Sequence, residues 1–226
     1  CWLMTAKKIT TFEALALTPE ILKAVRRMGF ANPTPVQAQT IPAMMDGRDV
    51  IAKAPTGTGK TCAFGIPLIE CLSPDSKDIQ AVVVCPTREL CIQIAEELRQ
   101  LAAYRPDVRI ASVYGGQPIA RQLAVLKKQP HIVVATPGRL LDHMGRGTVW
   151  LGNVYTAVLD EADEMLKMGF IRDVRKILNS TPADTQVVMF SATISREVMD
   201  VAWEYQHDAV EITVAAEGDN RPMIAQ

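Results

Sequence analysis

The sequence has little of what marks membrane, secreted or strongly basic proteins. No apolar run is long enough to span a bilayer, and no secretory signal is evident. We therefore expect no membrane association. The five cysteines form no Cys-x-x-Cys pair, so we expect buried free thiols in a reducing compartment, the cytoplasm or else the nucleus. Lys and Arg number 24 against 25 Asp and Glu, so any nucleic-acid site has to be a local patch.

What the sequence does have is a regular alternation of strand-like and helical segments. Strands are predicted over residues 49–54, 79–85, 108–113, 131–135, 154–160, 186–190 and 209–214. Helices are predicted over residues 60–71, 89–103, 118–128, 138–144, 171–179 and 196–204. The strand runs do not alternate polar with apolar residues, as expected of parallel strands covered on both faces. The pattern predicts an α/β fold, a doubly wound, mainly parallel sheet with helices on both faces.

The two ends of the chain differ from this alternating region. Before residue 49 the pattern predicts two helices, 19–28 and 36–45, that cover one edge of the sheet. After Ala215 the periodicity is lost among Gly, Asp, Asn and Pro. We therefore expect one domain over residues 1–215, and in 216–226 the start of a linker to a further domain.

A glycine-rich loop follows the first predicted strand and opens a helix. This phosphate loop reads Ala54-Pro55-Thr56-Gly57-Thr58-Gly59-Lys60-Thr61. N–H groups at such a helix start bind phosphate, the lysine adds a mobile positive charge, and the threonine hydroxyl can ligate Mg²⁺. The common pattern has glycine where Ala54 stands, and the alternative is that Gly57 and Gly59 are ordinary turn residues.

An acidic motif, Asp160-Glu161-Ala162-Asp163, follows the fifth predicted strand. Because ligands of open α/β sheets bind at the carboxyl ends of the strands, we expect it to face the phosphate loop. Asp160 would hold Mg²⁺ through water, and Glu161 would orient and deprotonate an attacking water. The alternative is an ordinary helix N-terminus, which also favours acids. Together the two motifs predict a site for a nucleoside triphosphate with Mg²⁺.

With these motifs the sequence resembles the DEAD-box family of ATP-dependent RNA helicases, over nearly its whole length. The acidic motif is the family's namesake, and the other motifs occur in the family's order. They are Phe12 with the segment Gly29–Gln37, then Pro86–Leu90, Gly115-Gly116, Thr136–Arg139 and Ser191-Ala192-Thr193. Ala54 is usual in this family, whereas Cys91 stands where alanine is usual. The resemblance implies the family's N-terminal RecA-like P-loop domain.

The resemblance implies ATP as the nucleotide. A glutamine amide presents a donor beside an acceptor, which matches the N6/N7 edge of adenine, so Gln37 would select ATP over GTP. Phe12 would stack on the base. The alternative is that Phe12 is a core aromatic and Gln37 a polar residue at a helix start. The cofactor-binding set is Phe12, Asn32, Gln37, Thr56, Gly57, Thr58, Gly59, Lys60 and Thr61, with Thr61 and Asp160 for Mg²⁺.

The resemblance also implies contacts to an RNA backbone from three turns. They involve Pro86, Thr87, Arg88, Gly115, Gly116, Thr136, Pro137, Gly138 and Arg139. Arg88 and Arg139 follow strands at helix starts, where N–H groups, a hydroxyl and a guanidinium can converge on one phosphate. The alternative is a pair of solvated arginines and a simple glycine turn. Such contacts carry no base code, and 2′-hydroxyls distinguish RNA from DNA.

The last motif implied by the resemblance couples the nucleotide site to RNA. Ser191 and Thr193 either cap the next helix or, as in the family, hydrogen-bond to Asp163. The catalytic set is then Lys60, Asp160, Glu161, Asp163, Ser191 and Thr193.

The resemblance implies local duplex unwinding by a monomer whose C-terminal RecA-like domain lies on the same polypeptide. The chain without that domain is expected to bind ATP and barely hydrolyse it, because the arginine fingers are missing. Other hypotheses are a DNA helicase or another P-loop NTPase, and an ATP-gated RNA clamp.

Overall fold

The structure, a computed structural model, describes residues 8–215 and contains one parallel sheet. Its seven strands follow the order β3-β4-β2-β5-β6-β1-β7, and every pairing is parallel. The strands are β1 (Val50–Lys53), β2 (Ala81–Val84), β3 (Ile110–Val113), β4 (Ile132–Ala135), β5 (Thr156–Leu159), β6 (Gln186–Ser191) and β7 (Val210–Thr213). All seven strands were predicted, with ends within two residues.

Helices occupy most of the segments between the strands. They are α1 (Pro19–Arg27), α2 (Pro35–Met45), α3 (Lys60–Glu70), α4 (Arg88–Leu101), α5 (Ile119–Leu126), α6 (Pro137–Gly145), α7 (Ala162–Lys167), α8 (Ile171–Asn179) and α9 (Arg196–Tyr205). A short 3₁₀ helix, Glu13–Leu15, precedes α1. No helix within residues 8–215 is both long and apolar enough to cross a bilayer.

The sheet is buried on both faces, which explains why its strands are continuously apolar. In β2, Ala81 and Val83 pack into one core layer, and Val82 and Val84 pack into the other. All four residues are fully buried. Alternate side chains of a strand point to opposite faces, so two covered faces require an unbroken apolar run. The predicted doubly wound α/β class is confirmed.

Two features of the fold were not predicted from the sequence. Helix α7 was missed, because six residues are too few to show a helical period. Cys71 is exposed, whereas the other described cysteines, Cys62, Cys85 and Cys91, are buried free thiols. The predicted linker over residues 216–226 lies outside the described residues, so the domain boundary at residue 215 stays a prediction.

Candidate nucleotide and nucleic-acid site

The sheet order brings the sequence motifs to one edge. Strand β6 lies between β1 and β5, so the residues that follow these three strands are neighbours. They are the phosphate loop after β1, the acidic motif after β5, and Thr193 just beyond β6. In parallel sheets this carboxyl edge is where ligands bind.

The phosphate loop has a backbone shape that requires glycine. Gly57 and Gly59 have φ values of 86° and 81°, in the left-handed region that glycine adopts without strain. Within the loop, the Thr58 hydroxyl donates to the Pro55 carbonyl over 2.8 Å. No side chain caps the N-terminus of α3. The first N–H groups of that helix therefore remain free to bind an anion.

The Gln37 amide is hydrogen-bonded to the backbone of the phosphate loop. Its Nε2 donates to the Gly59 carbonyl over 3.2 Å, and its Oε1 accepts from the Thr34 N–H over 3.0 Å. A Cβ on Gly59 would lie 2.5 Å from this Nε2. Gln37 is fully buried, so both ends of the amide serve the protein itself in this structure. The adenine-reading role of Gln37 stays a prediction, and it requires the amide to exchange these partners.

Lys60 and Asp160 form a buried pair of opposite charges in the cleft. Lys60 Nζ lies 3.8 Å from Asp160 Oδ1, and the two side chains are 9% and 3% exposed. Burial raises the pKa of Asp160 to about 6, although the nearby Lys60 ammonium lowers it and the Glu161 carboxylate raises it further. The pair leaves Lys60 next to the phosphate loop with a carboxylate facing it.

Glu161 adopts a strained backbone conformation beside this pair. Its φ and ψ are both 50°, a left-handed geometry that is uncommon for a residue other than glycine. The Glu161 N–H donates to Asp160 Oδ1 over 2.9 Å, which helps to hold the turn. The turn leaves the Glu161 side chain half-buried at the cleft, where it can reach a bound ligand.

Asp163 lies against the strand end that carries Ser191 and Thr193. Asp163 Oδ2 accepts from the Thr193 N–H over 3.1 Å and from the Thr193 hydroxyl over 2.9 Å. The Asp163 N–H donates to Ser191 Oγ over 3.1 Å. Burial favours a higher pKa for Asp163, but the hydrogen bonds around its carboxylate, those from Thr193 foremost, together outweigh burial and hold the pKa below its ordinary value. The structure thus brings together the three residues that the family pattern links.

A cleft of about 490 Å³ runs beside the phosphate loop. It is lined by residues of the predicted set, namely Thr56, Gly57, Gly59, Lys60, Thr61, Asp160 and Glu161. Phe30, Thr34 and Leu90 lie in the motif segments named above, but the predicted site set contains none of the seven further lining residues, namely Met28, Phe30, Thr34, Leu90, Gln93, Glu97 and Gln100. Four of the latter lie on α4 at spacings of three or four residues, a helical-face signal that could have identified them.

Four members of the predicted nucleotide set do not line this cleft, namely Phe12, Asn32, Gln37 and Thr58. Gln37 and Thr58 instead hydrogen-bond to the backbone of the phosphate loop. Phe12 is 3% exposed within the hydrophobic core, so no base can stack on it without a movement of the chain. Asn32 lines a separate hollow beside Lys8, Ile9 and Thr10. The aromatic side chain in the cleft is Phe30. The stacking role of Phe12 and the nucleotide contact of Asn32 stay predictions.

The remaining motifs form three turns, which we call the arginine turns: residues 86–88, 115–116 and 136–139. Pro86 and Pro137 are buried and shape the backbone, whereas Arg88, Gly115, Gly116 and Gly138 are exposed. The Thr87 side chain caps α4, and Thr136 makes no capping bond to α6. The Arg88 guanidinium lies 5.2 Å from the centre of the Tyr114 ring, and Arg139 Nη1 donates to the Gln117 carbonyl over 2.9 Å. Both arginines therefore flank the glycine turn.

Comparison with known proteins connects this geometry to a family. The model of the DEAD/DEAH box helicase family matches residues 34–201, well over half of the chain. The chain belongs to the DEAD/DEAH box helicase family. The DEAD-box ATP-dependent RNA helicase CshA of Geobacillus kaustophilus is 49% identical over 96% of this chain, and that of Bacillus subtilis is 49% identical over 91%.

Solved structures show the same relationship. A DEAD box protein from the hyperthermophile Methanococcus jannaschii has a TM-score of 0.87 and 45% identity, over 91% of this chain and 56% of that one. A hypothetical ATP-dependent RNA helicase from Sulfolobus tokodaii has a TM-score of 0.81 and 39% identity, over 88% of this chain and 57% of that one. The expected RecA-like fold is confirmed. This chain spans 46% and 42% of the two CshA relatives.

Proposed function

We propose that this chain is the nucleotide-binding half of an ATP-dependent RNA helicase. It binds ATP with Mg²⁺ and the backbone of single-stranded RNA, and it drives local unwinding when joined to a C-terminal RecA-like domain. The observation that carries the proposal is the buried Lys60–Asp160 pair, 3.8 Å apart, at the uncapped start of α3. A buried ammonium, free helix N–H groups and a carboxylate on one cleft suit a metal-bound triphosphate.

The donor set in the cleft fits Mg²⁺ rather than a metal held only by protein. Within residues 8–215 no group of three or more His, Cys, Asp or Glu side chains is placed to hold a metal ion. Mg²⁺ usually binds one or two protein oxygens and takes its other ligands from water and phosphates. Thr61 and Asp160 would supply those oxygens, and the ion when bound neutralises phosphate charge. The raised pKa of Asp160 makes this binding sensitive to pH near 6.

The residues of the cleft divide the chemical work among them. Lys60 would hold the terminal phosphates, and Glu161 would orient and deprotonate the attacking water. Asp163 Oδ2 accepts hydrogen bonds from Thr193 and so links the acidic motif to the end of β6, whereas the buried Oδ1 has no hydrogen-bond partner. A ligand that moves the acidic motif would therefore also move Thr193.

RNA binding is assigned to the arginine turns because of their charge and position. Arg88 and Arg139 lie at the same carboxyl edge of the sheet as the nucleotide cleft, where helix N-termini add N–H donors. Guanidinium groups beside exposed N–H groups suit phosphates, and they recognise no base sequence. We expect a monomer whose second domain completes both sites.

Nucleotide titration of this chain tests the proposal. We expect measurable Mg²⁺-dependent binding of ATP and ADP, weaker binding of GTP, and almost no hydrolysis with or without RNA. Equal affinity for GTP and ATP would contradict adenine selection by Gln37, and rapid RNA-stimulated hydrolysis would contradict the need for a second domain. In the full-length protein, a duplex-release assay separates a helicase from an ATP-gated clamp.

A further inference from the structure

A buried glutamine outside every motif connects the arginine turns. Gln122 on α5 is 1% exposed, and all four hydrogen-bonding positions of its amide are occupied. Its Nε2 donates to the Tyr114 carbonyl over 2.7 Å and to Gln117 Oε1 over 3.1 Å. Its Oε1 accepts from Arg139 Nη1 over 3.2 Å and from His143 Nε2 over 2.8 Å.

The orientation of this amide follows from its partners. The Tyr114 carbonyl can only accept, so the amide nitrogen has to face it. The amide oxygen then faces Arg139, which can only donate, and His143 Nε2, which therefore carries the hydrogen. His143 is fully buried, and burial lowers its pKa. Thr148 Oγ1 lies 2.8 Å from the other ring nitrogen.

The residues that hydrogen-bond to Gln122 also contact Arg88 and Arg139. The Tyr114 ring carries the Arg88 guanidinium, 5.2 Å away. A Cβ on Gly116 would approach Arg88 Nη1 to 3.4 Å, so the glycine turn and Arg88 are in near contact. Arg139 donates through the same Nη1 to the Gln117 carbonyl and to Gln122. These bonds leave the rest of the Arg139 guanidinium for a ligand.

We infer that Gln122 is a positioning residue for binding of a nucleic-acid backbone. It fixes the Arg139 guanidinium against the turn Tyr114–Gln117, so that Arg139 and the Gly115-Gly116 N–H groups can bind the same phosphate. The cost of ordering a long arginine side chain is met during folding instead of during binding. This inference rests on the proposed RNA binding by the arginine turns.

The matched pair of variants is Gln122→Met and Gln206→Met. Methionine keeps the length and the apolar contacts of glutamine but removes its hydrogen bonds. Gln206 is also buried, and its Nε2 donates to the Val50 and Val187 carbonyls near the starts of β1 and β6, at the opposite edge of the sheet. Each change removes bonds to backbone carbonyls, but only one of them frees Arg139.

The experiment is a titration of the chain with a fluorescent single-stranded RNA of about ten nucleotides, between about 50 and 200 mM salt. For Gln122→Met we expect affinity to fall about tenfold and the slope of log K against log salt to fall by about 0.7, the value for one lost phosphate contact. ATP affinity should stay unchanged. Gln206→Met should lower the melting temperature while it keeps RNA affinity and slope.

A double variant shows whether Gln122 acts through Arg139. If it does, Gln122→Met adds little to the loss caused by Arg139→Ala, because the group that it positions is already absent. Full additivity of the two losses, or wild-type affinity and slope in Gln122→Met, would overturn the inference. Gln122→Asn, whose amide is too short to span both partners, repeats the test if Gln122→Met does not fold. If the unmodified chain binds no RNA, the proposed function fails first and the inference with it.

Discussion

The nucleotide cleft and the arginine turns share one edge of the sheet but are built in opposite ways. In the cleft the charged groups themselves are buried, as in the Lys60–Asp160 pair, and the Glu161 backbone is strained. At the arginine turns the cations stay near the surface, and neutral groups such as Gln122 and Tyr114 are buried beneath them. Burial of charge strengthens electrostatic contacts but lowers stability, whereas exposed charge leaves stability unchanged and is screened by salt.

This difference separates the two sites experimentally. Substitutions in the cleft should change the free energy of unfolding and its pH dependence along with nucleotide binding. Substitutions of the exposed arginines should change RNA affinity and its salt dependence, and leave stability nearly constant. The four predictions below test this division, in order of expected effect.

Lys60→Ala should lower ATP affinity about 100-fold, measured by calorimetric titration with Mg²⁺ present. The substitution removes the ammonium that faces Asp160, and charged hydrogen bonds in a buried site contribute roughly 2–3 kcal/mol. RNA affinity should change less than twofold. Lys176→Ala, at an exposed position on α8, should leave both affinities unchanged. An ATP affinity within about fivefold of the parent chain would show that Lys60 does not hold the phosphates.

Asp160→Asn should stabilise the fold at neutral pH while it impairs Mg²⁺-dependent nucleotide binding. The pKa of Asp160 is about 6 in the folded chain against an ordinary value of 3.8, so the folded state prefers the neutral acid. That preference stabilises the fold fully below about pH 4, and the stabilisation is lost as pH rises through 6. At pH 7.5 the free energy of unfolding of Asp160→Asn should exceed that of the parent by about 3 kcal/mol.

Denaturant unfolding at several pH values measures this effect. The advantage of Asp160→Asn should shrink below pH 6 and vanish near pH 4. Asp142→Asn is the matched control, because Asp142 is exposed and its hydrogen bond with Arg146 lowers its pKa. The control should show no gain at pH 7.5. If the stability advantage of Asp160→Asn does not vary with pH, the charge of Asp160 does not destabilise the fold.

The sequence was sufficient to predict the sheet and the motif loops, because each depends on local information. Burial on both faces gives unbroken apolar runs such as Ala81–Val84, and glycine is required where the phosphate loop has positive φ. The order of the motifs then placed them at one edge through the general rule for parallel sheets. The Asp163–Thr193 contact came from the family pattern, and no spacing in the sequence indicates it.

The details that the sequence did not show depend on packing between distant segments. Phe12 is buried because the segment before α1 folds into the core, a contact that no local pattern encodes. The Gln37 amide donates to the Gly59 carbonyl because α2 packs on α3. Gln122 and Arg139 lie on different helices, yet they hydrogen-bond directly to each other and both contact Gln117. Such side-chain hydrogen bonds cannot be predicted without coordinates, since the spacing of two residues in the sequence fixes their distance in space only within one helix or strand.

Thr193→Val should lower the free energy of unfolding by about 1–2 kcal/mol at pH 7, because Asp163 Oδ2 loses the hydroxyl donor. The hydrogen bonds of Thr193 hold the pKa of Asp163 below its ordinary value, so their stabilisation is present above that value and is lost as pH falls through the folded pKa. The deficit of Thr193→Val should therefore shrink in acid.

Thr185→Val is the matched control for this change. The Thr185 hydroxyl is buried and donates to the Val154 carbonyl over 2.9 Å, so its loss involves no titrating group. Its deficit should be similar at pH 7 and should not change in acid. If both variants respond to pH alike, the Thr193 hydroxyl does not stabilise the ionised form of Asp163.

Arg88→Ala should have the smallest effect of the four, and only on RNA. Its guanidinium is exposed and rests on the Tyr114 ring, so we expect RNA affinity to fall about fivefold and the salt slope to fall by about 0.7. The free energy of unfolding should stay within about 0.5 kcal/mol of the parent, as for most surface substitutions. Arg99→Ala, at an exposed position near the other end of α4, removes the same charge away from the turns and should keep both slope and affinity. Equal losses for the two variants would show that RNA responds to net charge alone, and the contrast between the cleft and the arginine turns would then be wrong.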